Sequence, residues 1–155
     1  MSSPLHSLSV KLLLYRFFSL ILSLTLTCSL WQSRSLSIQV SMLPDTVANE
    51  EADYKSREDI YTVMWVASLV CHVIEFLGVL GGTSLKSMQV HVFSVFCHIL
   101  GSFLLLLGLM DSWDYRYFIW LFGLFSFAPA LAEIYCIFRF IIFDFNLMNK
   151  IEIRV

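Results

Sequence analysis

Four long apolar blocks constrain the fold of this chain more than any other feature. An α-helix rises about 1.5 Å per residue, so roughly 20 residues cross a hydrocarbon core of about 30 Å. Each block is long enough to do this and holds few charges. We therefore predict four transmembrane helices, which run approximately over residues 12–31, 60–80, 88–110 and 117–138.

The composition supports a membrane protein and excludes other classes. Of the 155 residues, 58% are hydrophobic and 14% are charged, and the mean hydropathy is +0.77. The spans use about half of the chain, which leaves no room for a separate soluble domain. We predict one membrane domain over residues 1–155 with an all-α fold, an antiparallel four-helix transmembrane bundle. The net charge of −2 offers no basic excess to a phosphate backbone, so nucleic-acid binding is not expected.

The connections between the blocks are one long loop, 32–59, and two short turns, 81–87 and 111–116. Short turns predict that the spans they join pack as antiparallel neighbours. No small-x-small cleavage site follows the first block, and Trp31 fits an interfacial anchor. We therefore interpret this block as a span and not as a cleaved signal peptide.

The lysine and arginine positions predict the orientation in the membrane. The side of the membrane that holds both termini carries six of these residues: Lys11, Arg16, Lys86, Arg139, Lys150 and Arg154. The other side carries four: Arg34, Lys55, Arg57 and Arg116. This bias places both short terminal tails in the cytoplasm and the 32–59 loop on the non-cytoplasmic side.

Two lone glutamates, Glu75 and Glu133, lie deep inside apolar blocks. A charge near the bilayer centre costs at least roughly 2 to 3 kcal/mol, so such a residue needs partners or a function. At about 1.5 Å per residue, both glutamates and His91 fall in the inner-leaflet third, with His72 and His98 nearer the middle. All five lie on helix faces rich in small or weakly polar residues. We predict that they form an intramembrane polar cluster with a structural role.

Arg16 is a further charged residue of the first block. Counted back from Trp31, it lies near the level of the glutamates. The interpretation we favour is a snorkelling arginine, whose guanidinium reaches the interface at the end of a short first span. The alternative is an ion pair with one of the glutamates.

Small residues and a proline predict how the helices pack. Gly78 and Gly82 form a small-xxx-small pair in span two, which favours close approach of another helix. Pro129, four residues before Glu133, frees a carbonyl one turn back and predicts a kink in span four.

Other chemistries fit the cluster less well. His72 and Glu75, at i and i+3, are similar to the Glu-x-x-His pairs of metal-binding bundles, but their order is reversed and a second pair is missing. We therefore expect no metal, no cofactor and no small-molecule substrate. No serine or cysteine has a base and an orienter at a recognisable spacing, so we expect no enzyme. A proton- or ion-coupled transporter or channel stays open as the alternative, although the outer halves of the spans are almost entirely apolar.

Several segments match a known family in order and spacing. They are Trp31-Gln-Ser-Arg34, Ile38-Gln39, Leu43-Pro44, Val73-Ile-Glu75-Phe-Leu-Gly78 with Gly82, His98, Trp113, and Pro129-Ala130-Leu-Ala-Glu133. Through these segments, over about residues 31–138, the chain resembles the transmembrane protein 107 family, four-span proteins of the ciliary transition zone.

The resemblance implies a non-enzymatic role. Members of the family are components of the Meckel-syndrome (MKS) module of the ciliary gate, where they help to localise other transition-zone membrane proteins. They thereby control ciliary membrane composition and cilium assembly. The implied partners are those membrane proteins and the lipid bilayer. The tail after Phe138 is longer than the family's and lacks a compact lysine cluster. Binding of a cytoplasmic partner through the tail is therefore not expected of this chain.

Overall fold

The computed structural model describes residues 4–42, 50–81 and 88–152, with side chains described over 10–42, 51–81 and 88–142. The described residues form helices α1 (Pro4–Met42), α2 (Glu50–Leu80), α3 (Met88–Met110), α4 (Tyr115–Phe122) and α5 (Ala128–Glu152). A π-helical segment, Gly123–Phe127, joins α4 to α5, so these three elements make one fourth span.

Four stretches of helix are long and apolar enough to cross a membrane. They are Val10–Met42, Glu51–Leu80, Met88–Met110 and Tyr115–Ile142. The prediction of an all-α four-helix membrane bundle is therefore confirmed.

The predicted 32–59 loop is wrong for most of its length, because α1 continues to Met42 and α2 begins at Glu50. In these extensions, polar residues of α1 pair with polar residues of α2. This pairing allows both helices to continue beyond the apolar part of the sequence. Arg57 donates from Nη1 to the backbone oxygen of Ser41 at 3.0 Å, and Arg34 lies 3.3 Å from the Glu58 carboxylate. The two helices therefore form a stiff hairpin past the end of α3.

The order of helices around the bundle differs from the order along the chain. α1 packs mainly against α3 and α2, and the fourth span packs against α2 and α3. Within the described ranges, α2 and α3 make little backbone contact and face each other diagonally. The expectation that consecutive spans are neighbours is therefore wrong for this pair. Because spans alternate in direction, the neighbours α1 and α3 run parallel.

Small residues explain this arrangement. A Cβ on Gly101 of α3 would lie 2.7 Å from the Cβ of Phe125 in the π-helical segment, and a Cβ on Gly78 of α2 would overlap Glu133 of α5. The fourth span therefore approaches both α2 and α3 closely. It thereby separates them.

Pro129 is fully buried, two residues into α5. Since it has no N–H to donate to the carbonyl four residues earlier, the backbone before it must adjust. In the structure this adjustment is the π-helical segment, which ends two residues before the proline. The sequence predicted a disturbance here but not its form.

The half of the bundle near Met110, called here the Met110 end, has an apolar core. Its buried members are Leu30, Ile38, Tyr61, Leu105, Tyr115, Phe118 and Phe122. The Tyr61 hydroxyl donates to the Leu30 carbonyl at 3.1 Å. This core fills the space between all four spans, so the polar side chains at the opposite, Met88 end are separated from the Met110 end.

Candidate functional site: a polar network across both diagonals of the bundle

Arg16 and Glu133 form an ion pair between α1 and α5, across one diagonal of the bundle. Arg16 Nη2 donates to Glu133 Oε2 at 2.6 Å, and both side chains are fully buried. The interpretation of Arg16 as a snorkelling residue is therefore wrong, and the alternative that it pairs with a glutamate holds. Its guanidinium faces inward because Arg16, Ser19 and Ser23 lie on the interior face of α1.

Glu75 makes the matching connection between α2 and α3, across the other diagonal. Its Oε2 accepts from the Ser94 hydroxyl at 3.0 Å and lies 2.8 Å from His98 Nε2. Each of the three side chains is buried. Long polar side chains thus connect two helices whose backbones stay apart.

The two diagonals meet at Arg16. Its Nη2 lies 4.0 Å from Glu75 Oε2, while its Nη1 donates to His91 Nδ1 at 3.3 Å. An arginine is only a donor, so the Nδ1 atom of His91 is the acceptor and carries no proton in this contact. One guanidinium therefore contacts α2, α3 and α5 together. We call Arg16, Glu75, His91, Ser94, His98 and Glu133 the central network.

His72 belongs to a second set of contacts nearer the middle of the membrane. Its Nδ1 donates to the Ser68 carbonyl at 2.8 Å, so its Nε2 can accept from the Ser23 hydroxyl at 3.0 Å. Ser68 also bonds Ser126 of the π-helical segment at 2.9 Å. The His72 and His98 rings lie 5.6 Å apart, which brings this set against the central network.

All five residues of the predicted cluster are buried, and the structure brings them together. Exposure is 0% for Glu75, His72, His98 and Glu133 and 3% for His91. Of the predicted packing residues, Gly78 and Pro129 lie beside the network, whereas Gly82 lies outside the described residues. Arg16 was not among the residues predicted for the cluster. Its position three residues before Ser19, on the polar face of α1, indicated that it faces the bundle interior.

The depth of the network follows from α3. Counted from Met88 at about 1.5 Å per residue, His91 lies roughly 5 Å and His98 roughly 15 Å along the helix. The network therefore occupies the half of the bundle at the Met88 end. Desolvated charges at this depth are costly unless they are paired. The network pairs Glu133 with Arg16. Glu75 Oε2 accepts from Ser94 and lies against His98, while Glu75 Oε1 has no hydrogen-bond partner among the described residues.

The contacts of the network run between helices. Arg16 of α1 contacts Glu133 of α5 and His91 of α3, and Glu75 of α2 contacts Ser94 and His98 of α3. Within the described ranges, no three His, Cys, Asp or Glu side chains are placed to hold a metal ion. The network therefore joins all four spans at one level.

Gly78 determines where Glu133 can lie, because a Cβ at this position would overlap the Glu133 carboxylate. We expect Gly78→Ala to displace that carboxylate from Arg16 and to lower the free energy of unfolding by about 1 to 3 kcal/mol. Unfolding of the purified protein in bicelles, followed by circular dichroism, measures this loss. Gly123→Ala is the matched control, since a Cβ there meets nothing within 4 Å. Equal stability of the two variants would contradict the assigned position of Glu133.

A family model, TMEM107, described as a transmembrane protein, matches residues 12–137, which is most of the chain. No curated protein and no solved structure gives a significant match. The matched range contains every residue of the central network, and the chain belongs to the transmembrane protein 107 (TMEM107) family.

Proposed function

We propose that this protein is a non-enzymatic scaffold of the ciliary transition-zone membrane, within the Meckel-syndrome module. In this role it helps to localise other membrane proteins and so controls ciliary membrane composition and cilium assembly. The observation that carries the proposal is the family match over residues 12–137. The location and the partners are those that the family resemblance implies.

The central network supports a scaffold because its groups bond to one another. Arg16 joins Glu133 and His91, and Glu75 joins Ser94 and His98. Apolar attraction is weak between helices in lipid, so such contacts contribute strongly to association. A bundle held in one arrangement presents a constant outer surface to neighbouring membrane proteins.

The outer surface itself is apolar on every span. Phe18, Val70, Phe96, Trp120 and Tyr135 are each at least half exposed. Lipids or the helices of other membrane proteins can cover side chains of this kind. We propose that transition-zone partners dock on part of this surface.

The alternative of a proton- or ion-coupled transporter has less support. Such a protein needs polar groups from one membrane face to the other. Between the network and the Met110 end, the interior is filled by buried side chains that include Leu105, Phe118 and Phe122. The proposed scaffold needs no such path.

Localisation in a ciliated cell tests the proposal. A tagged copy, expressed in place of the cell's own protein, should be enriched at the base of the cilium. Its removal should deplete other transition-zone membrane proteins from that site. Arg34→Leu is the control variant and should localise like the wild type, because it removes an ion pair that is about one-third exposed and leaves the central network intact. An even distribution over the cell membrane would overturn the assignment, as would normal partner localisation after removal.

A further inference from the structure

A groove runs along the lipid-facing side of the bundle between the parallel helices α1 and α3. Tyr15, Phe18 and Leu22 line it on α1, and Val92, Phe96 and Ile99 line it on α3. It is an open surface groove with a volume of about 500 Å³. Among the described residues, a second depression lined by α3 shares Val92 and Phe96 with the groove and includes Met88 and Gln89.

The groove lies in the half of the bundle at the Met88 end. Its lining spans Leu12 to Leu22 on α1, or roughly 15 Å, and Val92 to Ile99 on α3, or roughly 10 Å. Half of a hydrocarbon core measures about 15 Å. The α1 wall is therefore long enough for one extended acyl chain within one leaflet.

An exposed lysine lies next to the α1 lining of the groove. Lys11 precedes Leu12 and lies one helical turn before Tyr15, on the face that also presents Leu22. A lysine at this level extends its ammonium towards the headgroups while its methylenes stay in apolar surroundings. Gln89 of α3 lines the depression at the Met88 end.

Nothing on the two groove helices offsets this charge. α1 and α3 contain no aspartate or glutamate. The other cation of this part of α1, Arg16, is directed into the bundle, where Glu133 and Glu75 face it. Among the described side chains of α1 and α3 at this end, the Lys11 ammonium is therefore the charge that is not directed into the bundle.

From this combination we propose that the groove is a binding site for an anionic phospholipid of the leaflet at the Met88 end. One acyl chain lies between α1 and α3, and the phosphate contacts Lys11. Basic sites between transmembrane helices have the chemistry that binds anionic headgroups. The groove is also long enough for a sterol, but the neutral hydroxyl of a sterol does not require a cation beside it. The site is independent of the ciliary role proposed above.

Native mass spectrometry of the full-length protein tests this site. The protein is mixed with equal amounts of phosphatidylserine and phosphatidylcholine that carry the same acyl chains. One lysine near the headgroups favours an anionic lipid about fivefold, so the wild-type protein should retain phosphatidylserine over phosphatidylcholine by about that ratio. Lys11→Gln should bring the ratio close to one.

A second variant tests the groove apart from its charge. Val92→Trp places a large ring in the groove and should remove one bound lipid from the protein. Val73→Trp is the matched control. Val73 on α2 is exposed to a similar degree, 56% against 50% for Val92, but it does not line the groove. Lys55→Gln, an exposed lysine of the hairpin beyond the Met110 end, is the control for charge. Both controls should bind like the wild type, and the size-exclusion profile confirms that each variant is folded.

Four results would overturn the site. An equal loss with Lys55→Gln would mean attraction by overall charge, and an equal loss with Val73→Trp would mean a general effect of lipid-facing bulk. Displacement of phosphatidylserine by added cholesterol would identify a sterol as the occupant. A fall in dimer content with Val92→Trp, without loss of lipid, would identify a second copy of the chain there.

Discussion

Arg16→Leu should lower the free energy of unfolding by about 3 to 5 kcal/mol, the usual result when one member of a buried ion pair is removed. Glu133 would stay buried without its 2.6 Å partner, and His91 would lose its donor. Reversible unfolding in bicelles, followed by circular dichroism, measures the change. The loss comes chiefly from the carboxylate that is left behind.

The double variant Arg16→Leu/Glu133→Leu should therefore recover most of that loss. It replaces both charges by apolar groups, which is often neutral for a buried pair. Arg34→Leu is the surface control, because Arg34 and Glu58 are each about one-third exposed. It should change stability by no more than about 1 kcal/mol. If Arg16→Leu were as mild as Arg34→Leu, the pairing across the bundle would be refuted.

Glu75→Lys should be still more damaging. The substitution removes the acceptor of Ser94 and His98 and places a second cation where the carboxylate lies 4.0 Å from Arg16. Two like charges at this distance repel by about 4 kcal/mol at an effective dielectric constant of about 20. We expect no monodisperse protein after extraction, measured as the folded fraction in size-exclusion chromatography.

Two milder variants separate the charge effect from simple loss of a carboxylate. Glu75→Gln keeps an oxygen that can accept from Ser94 and should lose about 1 to 3 kcal/mol. Glu51→Lys reverses an exposed charge at the start of α2, in the hairpin beyond the Met110 end, and should leave the yield nearly unchanged. A normal yield of Glu75→Lys would show that position 75 is not enclosed by the bundle.

The number of spans and their interior faces could be predicted because both depend on local pattern. An apolar block of about 20 residues, with small and polar residues every three or four positions, predicts a helix and its buried side. Glu75, Glu133 and the three histidines were recognised in this way. Their partners could not be assigned, because pairing depends on which helices are neighbours.

The helix order and the helix ends depend on tertiary contacts. Short turns favoured α2 and α3 as neighbours, but the close approach of the fourth span at Gly78 and Gly101 separates them. Hydropathy placed the end of the first span near residue 31, whereas pairing between Arg57 and Ser41 extends the helix well beyond the apolar block. Arg16 was misjudged for the same reason, since its partner is defined only by the assembled bundle.

The long separation of Arg16 and Glu133 in sequence affects how the protein is made. They lie 117 residues apart, and synthesis at about 5 to 20 residues per second takes roughly 6 to 23 s to cover that distance. During this interval the first helix carries an arginine whose partner in the fourth span has not been synthesised. In a chain that stops before residue 133, Arg16 lacks its 2.6 Å partner, and Glu75, which lies 4.0 Å away in the finished bundle, is the carboxylate left to it. The ion pair between Arg16 and Glu133 therefore closes only after the last span has been synthesised.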